Sequence, residues 1–235
     1  MGKILNHISH KFEIFRVCVH CGGILVRNSD ALISDRMLCY VCEHKLELHR
    51  NLYVRNDYEH EVYSAYSWTE VNEILVRNIV RGLKGGGAER LFAHFAETIC
   101  ELRWRESKRS RRQACFRNNT YVIPAPRRGG VTRDHGEELG FAVAQLLGAK
   151  YAPILARKYK EEQKSKSLIE RKITHDIFSI DQRGLEMLKS QSQPRVIFVD
   201  DIVTTGRTAH SAYMALGQPM NFEIWAIFNR IRLRP

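Results

Sequence analysis

Nowhere do the 235 residues string together anything near the ~18 consecutive apolar side chains that cross a bilayer. A membrane-spanning helix is therefore not expected. The opening stretch, MGKILNHISHKFEIFRVC, holds no uninterrupted apolar core and no small-residue cleavage site, so no secretory signal is read there. These two absences predict a cytoplasmic chain with no membrane insertion. Internal repeats are lacking, and so is any low-complexity tract beyond one basic cluster. Acids are in short supply: 26 Asp and Glu stand against 37 Lys and Arg, a formal net charge of +11. That balance favours polyanionic partners, nucleic acid or phosphorylated metabolites, and says nothing about fold. A hydrophobic share of 44% is enough to bury a proper core in one sizeable domain with a small addition.

The positive charge is concentrated. RWRESKRSRRQACFR, Arg103 to Arg117, contains Arg103, Arg105, Lys108, Arg109, Arg111, Arg112 and Arg117 against the single acid Glu106. Trp104 and Phe116 flank it, and aromatics beside arginine can stack on unpaired bases, which makes single-stranded DNA a candidate partner. The competing reading is a helix end and loop whose charges face water.

Four of the six cysteines form a pattern. Cys18-Val-His-Cys21 and Cys39-Tyr-Val-Cys42 are separated by seventeen residues, inside the window for a four-thiolate zinc site. Each CxxC turns both sulfurs toward one point, and Gly22 and Gly23 relax the backbone that must curl around the ion. With four protein ligands no position stays open for substrate, so the zinc would be structural. Its binding, on the order of 10–16 kcal/mol in such modules, would decide whether so short a stretch folds. Two disulfides or a redox pair are the alternatives. His20 and His44 are expected to be bystanders, and Cys100 and Cys115 ordinary thiols.

The knuckle module is expected over residues 1–50, with a larger domain over 51–235. LELHRNLYVRNDYEHEVYSAYSW alternates and is aromatic, reading as strands, and its 51–70 portion could form a hood. Ile74, Leu75, Asn78, Ile79 and Leu83 fit a helical stripe that stops at Lys84-Gly85-Gly86-Gly87. Leu91 through Leu102 make a second helix running into the basic cluster. TYVIPAP is a short strand, followed by a helix with Leu139, Val143, Leu146 and Leu147 inward and Gly148 as its cap. YAPILARK is another strand, and the polar run Lys158 to His175 reads as a mobile arm. A helix from about Thr208 to Leu216 and a strand from Phe222 to Phe228 complete the chain. Strands alternating with helices predict an α/β fold, a mostly parallel sheet with helices on its faces.

The densest signal is RVIFVDDIVTTGRTAHSAYMAL, Arg195 to Leu216. Val196 to Val199 read as a buried strand running into Asp200 and Asp201, then into Thr204, Thr205, Gly206, Arg207 and Thr208 ahead of a helix. Ligands of open α/β sheets bind beyond the carboxyl ends of strands. Backbone N–H groups, threonine hydroxyls and a helix N-terminus make a phosphate cradle, and Gly206 lets the backbone close in. Carboxylates would repel phosphate but accept hydrogen bonds from a sugar diol. A sugar phosphorylated at one end suits both halves; a plain N-cap with acids on the helix dipole needs neither the doubled Asp nor Thr-Thr-Gly.

VIFVDDIVTTGRT resembles the thirteen-residue phosphoribosyl-pyrophosphate (PRPP) motif of type I phosphoribosyltransferases. The resemblance implies that Asp200 and Asp201 hold the ribose 2′- and 3′-hydroxyls while Thr204 to Thr208 bind the 5′-phosphate. Together with the four-Cys module it points to the ComF (GntX-like) group, associated with competence and DNA uptake or utilisation, over nearly the whole chain. Lys84 in RGLKGGG sits where that group has Lys before Gly, and TYVIPAPRR is similar to its V-P-V-P strand leading into the pyrophosphate loop. Gln163 and Arg171 keep the spacing of its Gln and Arg in the arm before an aromatic, here Phe178. The chain departs from the group at Arg133-Asp134-His135-Gly136-Glu137, where Arg-Gly-Phe-Asn-Gln is common and Glu137 replaces an amide.

Displacing pyrophosphate from the ribose C1 builds negative charge on the leaving group, so preorganised cations should be the largest catalytic term. Arg127 and Arg128 are the first candidates and Lys84 the next. Mg²⁺ would be carried largely by PRPP and keep several waters. The 158–175 arm is expected to close and exclude water. His135 and Glu137 are candidate bases. The acceptor cannot be read, competence or DNA-processing proteins are possible partners, and a non-catalytic PRPP- or nucleotide-sensing protein that binds single-stranded DNA is the alternative.

Overall fold

The computed structural model describes residues 16–25, 38–51, 55–58, 60–84, 89–109, 119–126, 135–158 and 177–230. Its elements, in chain order, begin with the two-residue strands β1 (Arg16–Val17) and β2 (Ile24–Leu25) and helix α1 (Tyr40–Glu47). Strands β3 (Arg55–Tyr58) and β4 (His60–Trp68) precede helices α2 (Glu73–Lys84) and α3 (Glu89–Arg109). Then come β5 (Thr120–Pro124), α4 (His135–Leu147), β6 (Lys150–Tyr151), β7 (Leu155–Arg157) and β8 (Phe178–Ile180). The described chain ends with α5 (Gln182–Lys189), β9 (Arg195–Val203), α6 (Arg207–Ala215) and β10 (Asn221–Arg230).

The main sheet has six strands in the order β3-β4-β10-β9-β5-β6. Every pairing in it is parallel except β3 with β4 at one edge. The α/β expectation with a parallel sheet flanked by helices is met. Strand β9 explains the layering. Val196 and Phe198 pack on one face with Ala209 and Ala212 of α6 and with Leu216, its C-cap, while Ile197 and Val199 pack on the other with α2, α3 and α4. All four are fully buried, each contributing about 1.5–3 kcal/mol relative to exposure.

Topology locates a crevice. From β5 the chain moves outward to β6, whereas from β9 it moves the opposite way to β10, although β5 and β9 are neighbours. The helices that follow them, α4 and α6, lie on opposite faces. This is a topological switch point, and ligands of such sheets bind outside the strand ends there.

Several expectations shift in detail. The stripe on α2 is Leu75, Val76, Ile79, Val80 and Leu83, and Ile74 is 72% exposed. On α4, Ala144 replaces Leu146 in the interior, because Leu146 lies on the solvent side while Gly148 caps with φ +61°. Helix α3 runs into the basic cluster as expected and ends at Arg109. Within the 51–70 segment, Glu61 to Trp68 pair with β10 as part of the main sheet.

Candidate functional site

Two constellations carry chemistry. The first is the cysteine cluster. Strands β1 and β2 pair antiparallel and close a knuckle in which the Cys18 N–H donates to the Gly23 carbonyl at 2.8 Å and the Gly22 N–H to the Cys18 carbonyl at 2.9 Å. Gly22 stands at φ +71°, which an L side chain would strain. Cys39 is the N-cap of α1, and Cys42 lies in its first turn. The sulfurs of Cys18, Cys21, Cys39 and Cys42 lie within 4.8 Å of one another, and Cys21 Sγ is 3.7 Å from Cys39 Sγ. A zinc ion at about 2.3 Å from four sulfurs would set tetrahedral edges of about 3.8 Å, so the cluster could bind zinc. All four are free thiols, not disulfides.

Charge within the cluster is uneven. Burial pushes the Cys18 thiol up, but backbone N–H groups of Cys21, Cys39 and His20 outweigh it and bring it down to about 7. Burial and the three neighbouring sulfurs push Cys42 strongly upward. A central dication would reverse that repulsion. Cys18 and Cys42 are buried in the same hydrophobic cluster as the side chains of α2, α3 and α4. The Asn78 amide donates to the His20 carbonyl at 3.3 Å, and a Cβ at Gly82 would fall 2.9 Å from Val19 Cγ1. The knuckle is thus keyed into α2. Neither His20 nor His44 joins the sulfurs: the His20 ring faces Asn78 and His44 stacks on Tyr40.

The second constellation sits at the switch point. Strand β9 runs through Asp200 and Asp201 to Val203, four residues farther than the apolar run Val196 to Val199 suggests and still paired with β10. Both acids are half-buried, and the Asp201 N–H donates to Asp200 Oδ1 at 2.9 Å. Burial holds the Asp200 carboxyl well above the usual carboxylate range; the charge and hydrogen bond of Asp201 add to this, while the Asp201 N–H and Arg157 oppose it. Thr204, Thr205 and Arg207 are exposed, and Gly206 and Thr208 half-buried. Gly206 is the N-cap of α6 at φ +69°, with no side chain capping the helix. Its carbonyl accepts the His210 N–H at 2.8 Å. The turn therefore presents a helix N-terminus and threonine hydroxyls next to the acidic pair.

Across the crevice, the Ala125 N–H donates to the Val199 carbonyl at 2.7 Å and carries the end of β5 alongside Asp200. Arg127 and Arg128, which follow, lie outside the described residues, as do Arg133, Asp134, Gln163, Arg171 and all of the 158–175 arm but Lys158. Lys84 ends α2 and is exposed. His135 opens α4 and stacks on Phe92 with ring centroids 6.5 Å apart; Glu137 is half-buried. Phe178 is buried in β8.

One arginine that the sequence does not single out belongs here. Arg157 ends β7, and its Nε donates to the Pro126 carbonyl at 3.0 Å. Strand β7 pairs only with β8, antiparallel and outside the parallel sheet, so the strand-end rule that picks out Asp200 does not reach Arg157.

The basic cluster divides. Arg103 is buried against Glu223, whereas Trp104 (56% exposed), Arg105 and Lys108 face solvent; residues 110–118 lie outside the described ones. Cys100 is an ordinary buried thiol, pushed up to about 12 by burial and then by Glu97 and Glu101. A cavity of about 350 Å³ lies between α1 and α3, where Arg50 reaches Glu47 at 3.3 Å and Glu101 at 2.7 Å. Compared with family models and with curated proteins, the chain matches none.

Proposed function

We propose that the chain is a phosphoribosyltransferase of the ComF type that binds PRPP with Mg²⁺ at the β9–α6 turn and displaces pyrophosphate, with a structural zinc ribbon. The observation that carries this reading is the placement of Asp200 and Asp201 at the carboxyl end of β9, at the switch point, directly before a glycine-capped helix N-terminus. Phosphate alone does not suit two carboxylates; a pentose diol with a phosphate one turn away does.

In this reading the carboxylates orient the ribose through its 2′- and 3′-hydroxyls. The Thr204–Thr208 turn and the α6 N-terminus hold the 5′-phosphate. Mg²⁺, carried in by PRPP, would supply charge neutralisation at the pyrophosphate. Arg127 and Arg128, with Lys84, would stabilise the charge that develops on the leaving group. The 158–175 segment leaves β7 and returns at β8, whose antiparallel pairing anchors both of its ends beside the crevice, a suitable root for a closing arm. A role in competence or DNA utilisation goes with the same assignment.

Calorimetric titration of PRPP with Mg²⁺ into wild type and the Asp200→Ala/Asp201→Ala variant tests it. Binding by the wild type at least tenfold tighter than by the variant is expected; equal affinity removes the reading. A screen of acceptors for PRPP-dependent pyrophosphate release then identifies the reaction.

A second reading, a non-catalytic sensor that binds single-stranded DNA, is favoured by the exposed Trp104 preceding the exposed Arg105 and Lys108 on α3. It requires an affinity that falls with salt and with Arg105→Glu/Lys108→Glu, because phosphate contacts respond to ionic strength.

A further inference from the structure

Arg157 is fixed on two sides. Its Nε bond to Pro126 ties it to the end of β5, and its guanidinium carbon lies 5.5 Å over the ring of Phe178, its cross-strand partner in β8. Pro126 directly precedes Arg127, and the Ala125–Val199 hydrogen bond keeps this strand end beside Asp200. One side chain thus joins the mouth of β5, the root of the 159–176 segment and the vicinity of the acidic pair. A solvated strand-end arginine would need neither a carbonyl partner nor an aromatic floor.

We propose that Arg157 is a positioning residue of the sugar-phosphate site: it pins the end of β5 to the β7–β8 stem and holds a fixed positive charge on the Asp200 side of the crevice. The identity of the ligand rests on the PRPP reading above; the placement of the arginine does not. Two adjacent carboxylates repel, and one then takes up a proton, while a nearby cation favours the charged form that accepts hydrogen bonds from a diol. Among the described residues, the charges that act on Asp200 are Asp201 on its own strand and Arg157 across the crevice, and β10 sets the uncharged Ala226 opposite it. Lysine would supply the charge without the planar Nε donor that meets Pro126.

Two measurements on the full, zinc-loaded chain test the proposal. The first needs no ligand: the Asp200 carboxyl is titrated by ¹³C NMR in wild type, Arg157→Ala, Arg157→Lys and Arg157→Gln. The midpoint should rise by about one pH unit in the Ala and Gln variants and by less in Lys. The Gln variant guards against misfolding of the Ala variant, since it retains an amide donor without charge. An unmoved midpoint overturns the proposal. The second follows PRPP–Mg²⁺ affinity against pH. Near neutral pH the Ala variant should bind about tenfold more weakly, with the acid limb displaced to higher pH and partly restored in Lys. A uniform loss at every pH is the mark of a merely structural role and also overturns it. Should the wild type ignore PRPP while the ligand-free midpoint still moves, the sugar-phosphate reading falls and the placement of Arg157 near Asp200 stands.

Discussion

Arg103 and Glu223 meet in the interior as a bidentate pair, 120 residues apart, with Nε to Oε2 and Nη2 to Oε1 each 3.1 Å. Trp225 Nε1 donates to Glu223 Oε2 at 3.0 Å, and Arg195 Nε lies 3.5 Å from Oε1. The guanidinium also covers the Tyr63 ring at 5.1 Å. Both ions are almost fully buried, so the pair joins α3 to the central sheet where water cannot compensate a lost partner.

Arg103→Ala should therefore destabilise the fold by about 2–3 kcal/mol, because it leaves the buried Glu223 carboxylate with only the Trp225 N–H and the longer Arg195 contact. Arg103→Met combined with Glu223→Gln should recover most of that loss. Urea denaturation of the three proteins measures both. If Arg103→Ala costs less than about 1 kcal/mol, the pair is not the tie described here. Charge-reversal tests of nucleic-acid binding should accordingly use Arg105 and Lys108 and leave Arg103 alone.

That residue also marks the boundary of what the sequence reveals. The cysteine pairs and the Asp200–Thr208 stretch are legible because their partners are contiguous or at fixed short spacing, so local pattern and final geometry coincide. Arg103 reads as surface charge because its partner lies on another element. Ile74 reads as core because a helical stripe is degenerate by one position until packing decides, and Val76 and Val80 take the inner face. Arg157 is silent because its meaning comes from the Pro126 carbonyl across the sheet edge.

The cysteine cluster yields a test of its own. One zinc per chain is expected, released by a chelator and abolished by Cys42→Ser. Because the knuckle docks on α2, Gly82→Ala should weaken zinc retention without touching a sulfur: its new methyl would meet Val19 Cγ1 at 2.9 Å. Overpacking of this kind costs about 1–3 kcal/mol. A metal-indicator competition assay and thermal melts report the two effects. Zinc affinity unchanged in Gly82→Ala would separate the knuckle from α2.

On the proposed reading, Asp200 ties PRPP binding to a cost in stability. Its carboxyl is held above its unfolded-state value, chiefly by burial and then by Asp201, so the native state binds more protons than the unfolded one between the two values. Stability therefore falls as pH rises through that window, opposite to a salt-bridged acid. Asp200→Asn should remove the slope and raise stability near neutral pH by about 1 kcal/mol, while PRPP binding is lost. Melting curves collected against pH decide it: a variant as pH-sensitive as the wild type would assign the slope to another group.

Gly206 gives the most local test of the phosphate cradle. It caps α6 at φ +69° and ψ −2°, a left-handed conformation. Alanine there costs roughly 1–2 kcal/mol in backbone strain, part of which the turn can shed by relaxing away from the left-handed geometry. Relaxation rotates the first N–H groups of α6 off a common point, so phosphate recognition should suffer more than the fold does. The expected outcome for Gly206→Ala is a melting temperature only a few degrees lower, with PRPP affinity down tenfold or more. Gly217, another left-handed glycine, lies beyond the far end of the same helix at φ +76° and serves as the matched control. Gly217→Ala should cost similar stability and leave PRPP binding intact. Equal loss of affinity in both variants would mean that the β9–α6 turn holds no phosphate and that the effect of Gly206 is strain alone.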